Sequence, residues 1–263
     1  GIGRCGETVV VPFEPGAGSC GVLGSIDLAQ LEPADLDLGG LFDLARMGEQ
    51  DSILVASADG VGTKLEVAKR CGIYDTVGQD LVNHCIDDIL VQGARPLFFM
   101  DYVGTGKLEP EVVSALISGC ADACTDNGLA LLGGETAEMP GLYAAGDFDL
   151  VGFIVGSVPR DRVLDGSRVA PGQKLLGVTS DGLHTNGYSL ARKVVFERLG
   201  LGLDERPEIL GGPSVAEALL APHRSYLSSH MPLLDEGRIA GLAHISGGGL
   251  LDNLPRILGS TDA

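Results

Sequence analysis

Two patterns of apolar and polar positions alternate along the chain. Short unbroken apolar runs predict buried strands, and apolar residues recurring every three or four positions predict amphipathic helices. Residues 53–57 (ILVAS) read as a short buried strand ended by Asp59-Gly60. Residues 63–71 have helical spacing, and residues 80–92 form a stronger amphipathic helix stopped by Gly93. Residues 96–102 (PLFFMDY) predict an apolar strand. A helix then begins at Pro110, where proline suits the first turn, and runs to Asn127-Gly128. Residues 129–132 and 148–158 predict two further strands, the first running into Gly133-Gly134.

After Val169-Ala170-Pro171-Gly172, a turn signal, the pattern restarts with a strand over 174–179. Helices follow over 188–199, 214–220 and 227–234, then a strand over 239–245 that leads into Gly247-Gly248-Gly249, and a helix start over 250–258. The alternation predicts an α/β (α+β) chain with a boundary near 160–170. Residues 1–165 make an N-terminal domain, and residues 166–263 make a C-terminal α/β domain that looks incomplete because it holds few strands for a sheet of its own.

Composition narrows the chemistry. Glycine contributes 40 of 263 residues, about twice the usual share of roughly 7%. The glycines cluster at 39–40, 133–134 and 247–249 rather than repeating every third residue, as expected where backbone turns or approaches a ligand. A net charge of −18 makes nucleic acid and anionic membrane poor partners and favours divalent cations. Any anionic ligand then needs local cations or backbone N–H groups. No apolar run is long enough to span a bilayer, and residues 1–15 lack the basic region and apolar core of a signal peptide. The six cysteines include no CxxC pair, and Cys120 and Cys124 fall on one predicted helix. They predict neither disulfides nor a zinc site, but a reduced, cytosolic protein.

Five stretches are candidates for chemistry. Asp59-Gly60-Val61-Gly62-Thr63-Lys64 joins a strand end to a helix start, where backbone N–H groups and Lys64 suit an anion and Asp59 suits a metal. A tight turn with an exposed lysine fits the spacing equally well. On the 80–92 helix, Asp80, Asn83, His84 and Asp87 make one polar stripe with no lysine or arginine to pair them. A solvated face is the plain reading; a Mg²⁺ site explains why the carboxylates are uncompensated. Asp88 lies about 100° around that helix from Asp87. Gly133 to Gly141 (GGETAEMPG) puts Glu135 just after a strand, at a ligand-binding mouth or in an ordinary polar loop. His184, Thr185, Asn186, Gly187, Tyr188 and Ser189 precede a helix start, so His184 is either a proton carrier or simply exposed. Ser246 to Gly249 has the look of another anion cradle.

In this order the strings resemble the phosphoribosylformylglycinamidine cyclo-ligase (aminoimidazole ribonucleotide synthetase) family, in the ATP-binding superfamily that includes selenophosphate synthetase. They are DGVGTK (59–64), GQDLV (78–82), VQGARPL (91–97) with residues 98–101, GKL (106–108), GGETAEMPG (133–141), HTNGYSLAR (184–192) and HISGGG (244–249). The resemblance implies that ATP phosphorylates the formyl amide oxygen of formylglycinamidine ribonucleotide. The amidine nitrogen then closes the imidazole ring, and phosphate leaves beside ADP. It implies Mg²⁺ on Asp59 and Asp88, with Asp80 and Glu135 as further acidic ligands. Gly60, Gly62, Thr63, Lys64, Gly133 and Gly134 would hold ATP phosphates, and Lys64 and His184 would be catalytic. His184 to Ser189 would face the ribonucleotide and its 5′-phosphate. The implied fold is a homodimer whose N-terminal domains share a β-barrel, with no nucleic acid or membrane partner. Residues 1–33 depart from the family pattern, Asn83, His84 and Asp87 are atypical, and family members continue past the position of Ala263. A truncated, non-catalytic homologue that keeps dimerisation and nucleotide binding is therefore the alternative; a neighbouring synthetase or small-molecule kinase is a further one, against which HTNGYS argues.

Overall fold

The computed structural model describes residues 51–258. The expectations placed on residues 1–33, on Gly39-Gly40 and on Cys5 and Cys20 lie outside them. Four strands form one mixed sheet in the order β1-β4-β2-β3: β1 (Ser52–Gly60), β2 (Arg95–Thr105), β3 (Ala130–Glu138) and β4 (Phe148–Pro159). β4 runs antiparallel to both β1 and β2, whereas β2 and β3 are parallel. The β2–β3 connection is α3 (Pro110–Asn127), the helical crossover that a parallel pair requires. Its ends are fixed by Pro110 in the first turn and by Gly128 at φ 69°, a left-handed conformation that favours glycine.

Helices α1 (Leu65–Cys71) and α2 (Asp75–Leu90) precede β2. α2 lies against the sheet because β4 has glycines where the helix approaches. A Cβ on Gly152 would stand 2.9 Å from Leu81 Cγ, and one on Gly156 2.6 Å from Ile89 Cδ1. Where α2 crosses α3, added Cβ atoms on Gly78 and Gly119 would collide with the backbones of Leu116 and Asp75. The buried Leu81, Ile86, Ile89, Phe99, Leu116 and Ile154 fill this layer. The opposite face of the sheet leaves Leu54 and Phe153 exposed.

The chain beyond residue 162 contributes α4 (Tyr188–Arg192), α5 (Val215–Leu220), α6 (Leu227–Asp235) and α7 (Gly249–Asn253). α5 begins with a capping box in which Ser214 and Glu217 bond reciprocally. The strands expected over 174–179 and 239–245 are not formed: neither segment pairs with a strand among the described residues, and 174–179 is exposed throughout. An apolar run becomes a strand only with a neighbour to hydrogen-bond, and among the described residues these two have none. Residues 193–198 continue α4 as π-helix rather than regular α-helix. No helix among the described residues is long and apolar enough to cross a membrane.

Candidate functional site

The polar stripe of α2 is not a solvated face. Asp80, His84 and Asp87 are buried, and the second half of the chain covers them. Asn83 Nδ2 donates to the His223 carbonyl at 2.7 Å, and the His223 backbone N–H donates to Asp80 Oδ1 at 2.6 Å. The Tyr226 N–H reaches Asp87 Oδ1 at 3.0 Å, and His84 Nδ1 lies 2.6 Å from the Thr185 hydroxyl. A buried polar group needs a partner, and each of these finds one about a hundred residues or more away in sequence.

Asp59, at the end of β1, and Asp88, on α2, converge on His84. Asp59 Oδ2 is 2.6 Å from His84 Nε2, and Asp88 Oδ2 is 3.8 Å from it. Asp88 also accepts from Ser57 Oγ at 3.0 Å and meets His244 Nδ1 at 2.8 Å. The hydrogen bond from His84 holds the Asp59 carboxyl below the usual range. Burial opposes ionisation of Asp88, but the His244 bond and the charges of His84 and His244 outweigh it, so its pKa is also lowered. Burial works to lower His84, yet the bond to Asp59 and the surrounding carboxylates raise it. The pair thus keeps negative charge at a partly exposed spot, with oxygen donors that suit a hard dication. Asp59, His84 and Asp88 can each point one ligand atom to within 4.8 Å of the others.

Lys64 and Asp80 stand apart from that spot. Lys64 Nζ lies 2.7 Å from Asp80 Oδ2, both side chains are fully buried, and Lys64 also donates to the Ala221 carbonyl at 2.8 Å. Burial pulls the Lys64 ammonium down and pushes Asp80 up to about 6, while each charge opposes the shift of the other. Lys64 is therefore not the exposed phosphate-facing charge expected from DGVGTK, and Asp80 is not an open metal ligand. Each serves the other and clips residues 221–223 onto the first half. Asp87 is likewise pushed up, to about 7, by burial.

Glu135, Gly133 and Gly134 are also placed differently from the expectation. They lie within β3, not in a loop beyond a strand, because the pairing with β2 shifts register after Leu131 and continues through Thr136 and Glu138. Gly134 is needed there: a Cβ would sit 2.6 Å from Asp101 Oδ1. The cross-sheet row runs Asp59, Gly152, Asp101, Gly134. Three strand spacings of about 4.8 Å therefore separate Asp59 from the β3 glycines, roughly 14 Å. Glu135 does not join Asp59 and Asp88 within one chain.

Two of the remaining loops meet. Gly62 has φ 66° and opens the turn Gly62–Lys64, and Thr63 Oγ1 lies 3.2 Å from Ser189 Oγ, joining DGVGTK to HTNGYS. The Gly60 N–H, by contrast, closes on its neighbour Asp59 Oδ1 at 2.7 Å. His184 is the single non-glycine residue at positive φ among those described, 56°, a conformation held only where surroundings impose it. It stacks on His223 with ring centroids 3.9 Å apart, and its Nε2 is buried without a partner. Burial lowers it to about 4, so the ring is neutral. Gly187, at φ 80°, leads into α4, and Tyr188 is buried with its hydroxyl donating to the Leu219 carbonyl at 2.6 Å. Sequence reasoning missed His223 altogether and gave His244 no role; neither stands in a spacing that announces chemistry.

Known proteins match along most of this architecture. Residues 39–158 match the N-terminal domain, and residues 170–262 the C-terminal domain, described as AIR synthase related protein. The phosphoribosylformylglycinamidine cyclo-ligase of Geobacter sulfurreducens is 52% identical over 220 residues, 84% of this chain and 63% of that protein. The protein of that name from Sorangium cellulosum is 51% identical over 226 residues, 84% of this chain and 65% of its own. This chain thus spans less than two thirds of the length of these relatives. Among solved structures, thiamine-monophosphate kinase from Stenotrophomonas maltophilia superposes with a TM-score of 0.57 at 21% identity, covering 79% of this chain and 60% of its own. The hydrogenase maturation protein HypE gives 0.54 at 16% identity, covering 85% and 61%. These two similarities speak to the fold.

Proposed function

Because the chain belongs to the AIR synthase related protein family, we propose that it carries the ATP-dependent closure of formylglycinamidine ribonucleotide to aminoimidazole ribonucleotide, with ADP and phosphate as co-products. One observation carries the reading: Asp59 and Asp88 converge on His84 at the seam where Thr63 meets Ser189. The two halves of the chain, divided near residue 165, thereby present acidic and glycine-rich loops to one place. The family matches, ending at 158 and resuming at 170, support that division.

Asp59 and Asp88 fit Mg²⁺ as ionised, partly exposed carboxylates and would hold it; there the ion would neutralise triphosphate charge. The chain's own groups do the remainder. Backbone at Gly62 and Thr63 binds phosphate at the turn into α1, and Ser189 approaches from the opposite half. Lys64 and Asp80 fix the register of the halves rather than touching ligand. In the reaction the amide oxygen gains the γ-phosphoryl group, the amidine nitrogen bonds to that carbon, and the C–O bond breaks to release phosphate. Ring closure sheds one proton. The neutral His184, with Nε2 free, is the imidazole able to accept it. The homodimer and its shared barrel are supported by the open sheet face carrying Leu54 and Phe153.

The test is aminoimidazole ribonucleotide formation by the purified chain with ATP and Mg²⁺. Turnover that falls at least about a hundredfold in Asp88→Asn, in line with loss of a transition-state charge contact, supports the assignment; equal turnover in the variant refutes it. A second reading, nucleotide binding without turnover, is favoured by segment 174–179, which is exposed and joins no sheet among the described residues. Mg²⁺·ATP binding with no product formation would select it.

A further inference from the structure

Only five histidines occur in 263 residues, yet four of them meet at the seam between the halves. The rings of His84, His223 and His244 form a near-equilateral triangle with centroid separations of 5.2, 5.1 and 5.6 Å. Each can offer one nitrogen within 4.8 Å of the other two. Nitrogens bound at about 2.0–2.1 Å to one tetrahedral ion stand roughly 3.4 Å apart, so side-chain adjustments on the order of 1 Å close the set.

Two independent features point to a ligand there. First, His223 Nδ1 is buried and has no hydrogen-bond partner, in a residue only 1% exposed. An orphaned nitrogen of this kind is costly unless something binds it. Second, the other ring nitrogens are already oriented by carboxylates. His223 Nε2 lies 3.1 Å from Asp87 Oδ2, and His244 Nδ1 lies 2.8 Å from Asp88 Oδ1. Carboxylate–histidine pairs of this form fix the tautomer and aim the remaining lone pair at a metal. With Nε2–H donated to Asp87, His223 Nδ1 is the lone pair; with Nδ1 held by Asp88, His244 Nε2 is the free nitrogen. His223 is also kept neutral, since burial and then the charges of His84 and His244 lower it to about 2.

We propose that His84, His223 and His244 form a binding site for a transition-metal dication of the Zn²⁺ class, distinct in donor chemistry from the Asp59/Asp88 pair. Imidazole nitrogen suits Zn²⁺, Ni²⁺ and Cu²⁺, whereas Mg²⁺ prefers oxygen. His84 is the corner shared with the acidic pair, because Asp59 holds its Nε2. Asp59 is half-exposed, so water can replace its bond to His84 while the Gly60 N–H still holds Oδ1, and the proton on His84 leaves to solvent as the dication enters. The ligands come from α2 in the first half and from two segments of the second, so the ion ties the halves together and stabilises the fold by mass action. The proposal does not rest on the cyclo-ligase reading.

The experiment is titration of EDTA-treated chain with Co²⁺, then displacement by Zn²⁺, read by Co²⁺ visible absorption and by thermal melting. One equivalent of Co²⁺ with intense tetrahedral bands, no thiolate charge-transfer band, displacement by Zn²⁺ and a rise in Tm support the site. His223→Asn and the milder His244→Gln should each weaken Zn²⁺ affinity at least about a hundredfold. Unchanged Zn²⁺ binding in either histidine variant, a thiolate band, or no saturable binding by the unmodified chain overturns it. Should His223→Asn not fold, His244→Gln and the spectrum of the unmodified chain decide. Absence of cyclo-ligase turnover leaves each of these readouts intact.

Discussion

Replacing one member of the Lys64–Asp80 pair should unclip the two halves of the chain. The pair is fully buried, with Nζ 2.7 Å from Oδ2, and it anchors backbone from the far side: Lys64 holds the Ala221 carbonyl and Asp80 holds the His223 N–H. Removing one partner of a buried pair strands the other charge, at about 3–5 kcal/mol. Lys64→Met and Asp80→Leu alone should each show a loss of that size. The double variant leaves no stranded charge, only two unsatisfied backbone groups at about 1–3 kcal/mol each. It should therefore lose about 2–6 kcal/mol, not the roughly 6–10 kcal/mol of the singles added together. For a chain of this size each kcal/mol moves Tm by about 2–4 °C, so a single variant should melt roughly 6–20 °C lower. Urea denaturation followed by circular dichroism gives the three differences. Additive losses, or singles costing under about 1 kcal/mol, would show that the pair is an incidental contact and refute the clip.

Burial raises Asp101 to about 6, so the folded state holds this proton more tightly than the unfolded chain does. Stability should then fall as pH rises from about 4 to about 6, by up to about 3 kcal/mol. Asp101→Asn should abolish that component in pH-dependent urea melts; parallel curves for both proteins would contradict the shift. Gly119→Ala drives a methyl into the Asp75 backbone and should cost about 1–3 kcal/mol as an overpacked α2–α3 crossing; a melt equal to that of the unmodified chain would argue against the close approach. Phe153→Lys, on the open sheet face, should convert a dimer to monomer in sedimentation velocity without lowering Tm by more than about 2 °C; an unchanged sedimentation coefficient would remove that face from the interface.

Much of the first half was legible because local signals settled it. Pro110 and Gly128 bound α3 at the expected residues, since proline and left-handed glycine act without tertiary help. The apolar run predicts a β3 that ends at Leu132, too short, because nothing local shows that Gly133 to Glu138 finds a parallel partner in β2. The apolar character of 174–179 predicts a strand, but a strand also needs a neighbour. The α2 stripe is the instructive case. A row of Asp80, Asn83, His84 and Asp87 looks the same in sequence whether it faces water or buried polar groups. What decides is the distant His223 and Tyr226 backbone that these side chains satisfy. Of the acidic candidates, Asp59 and Asp88 lie close together around His84, whereas Asp80 is taken by Lys64 and Glu135 lies across the sheet.

In the proposed function, Asp59 and Asp88 act as one cation-holding pair for a bound triphosphate. Calorimetric titration of Mg²⁺·ATP into the unmodified chain and into Asp88→Asn tests this most directly. Loss of one charged contact is worth about 1.5–3 kcal/mol, so affinity should drop about 10- to 100-fold in the variant. Equal affinity in both proteins would contradict it.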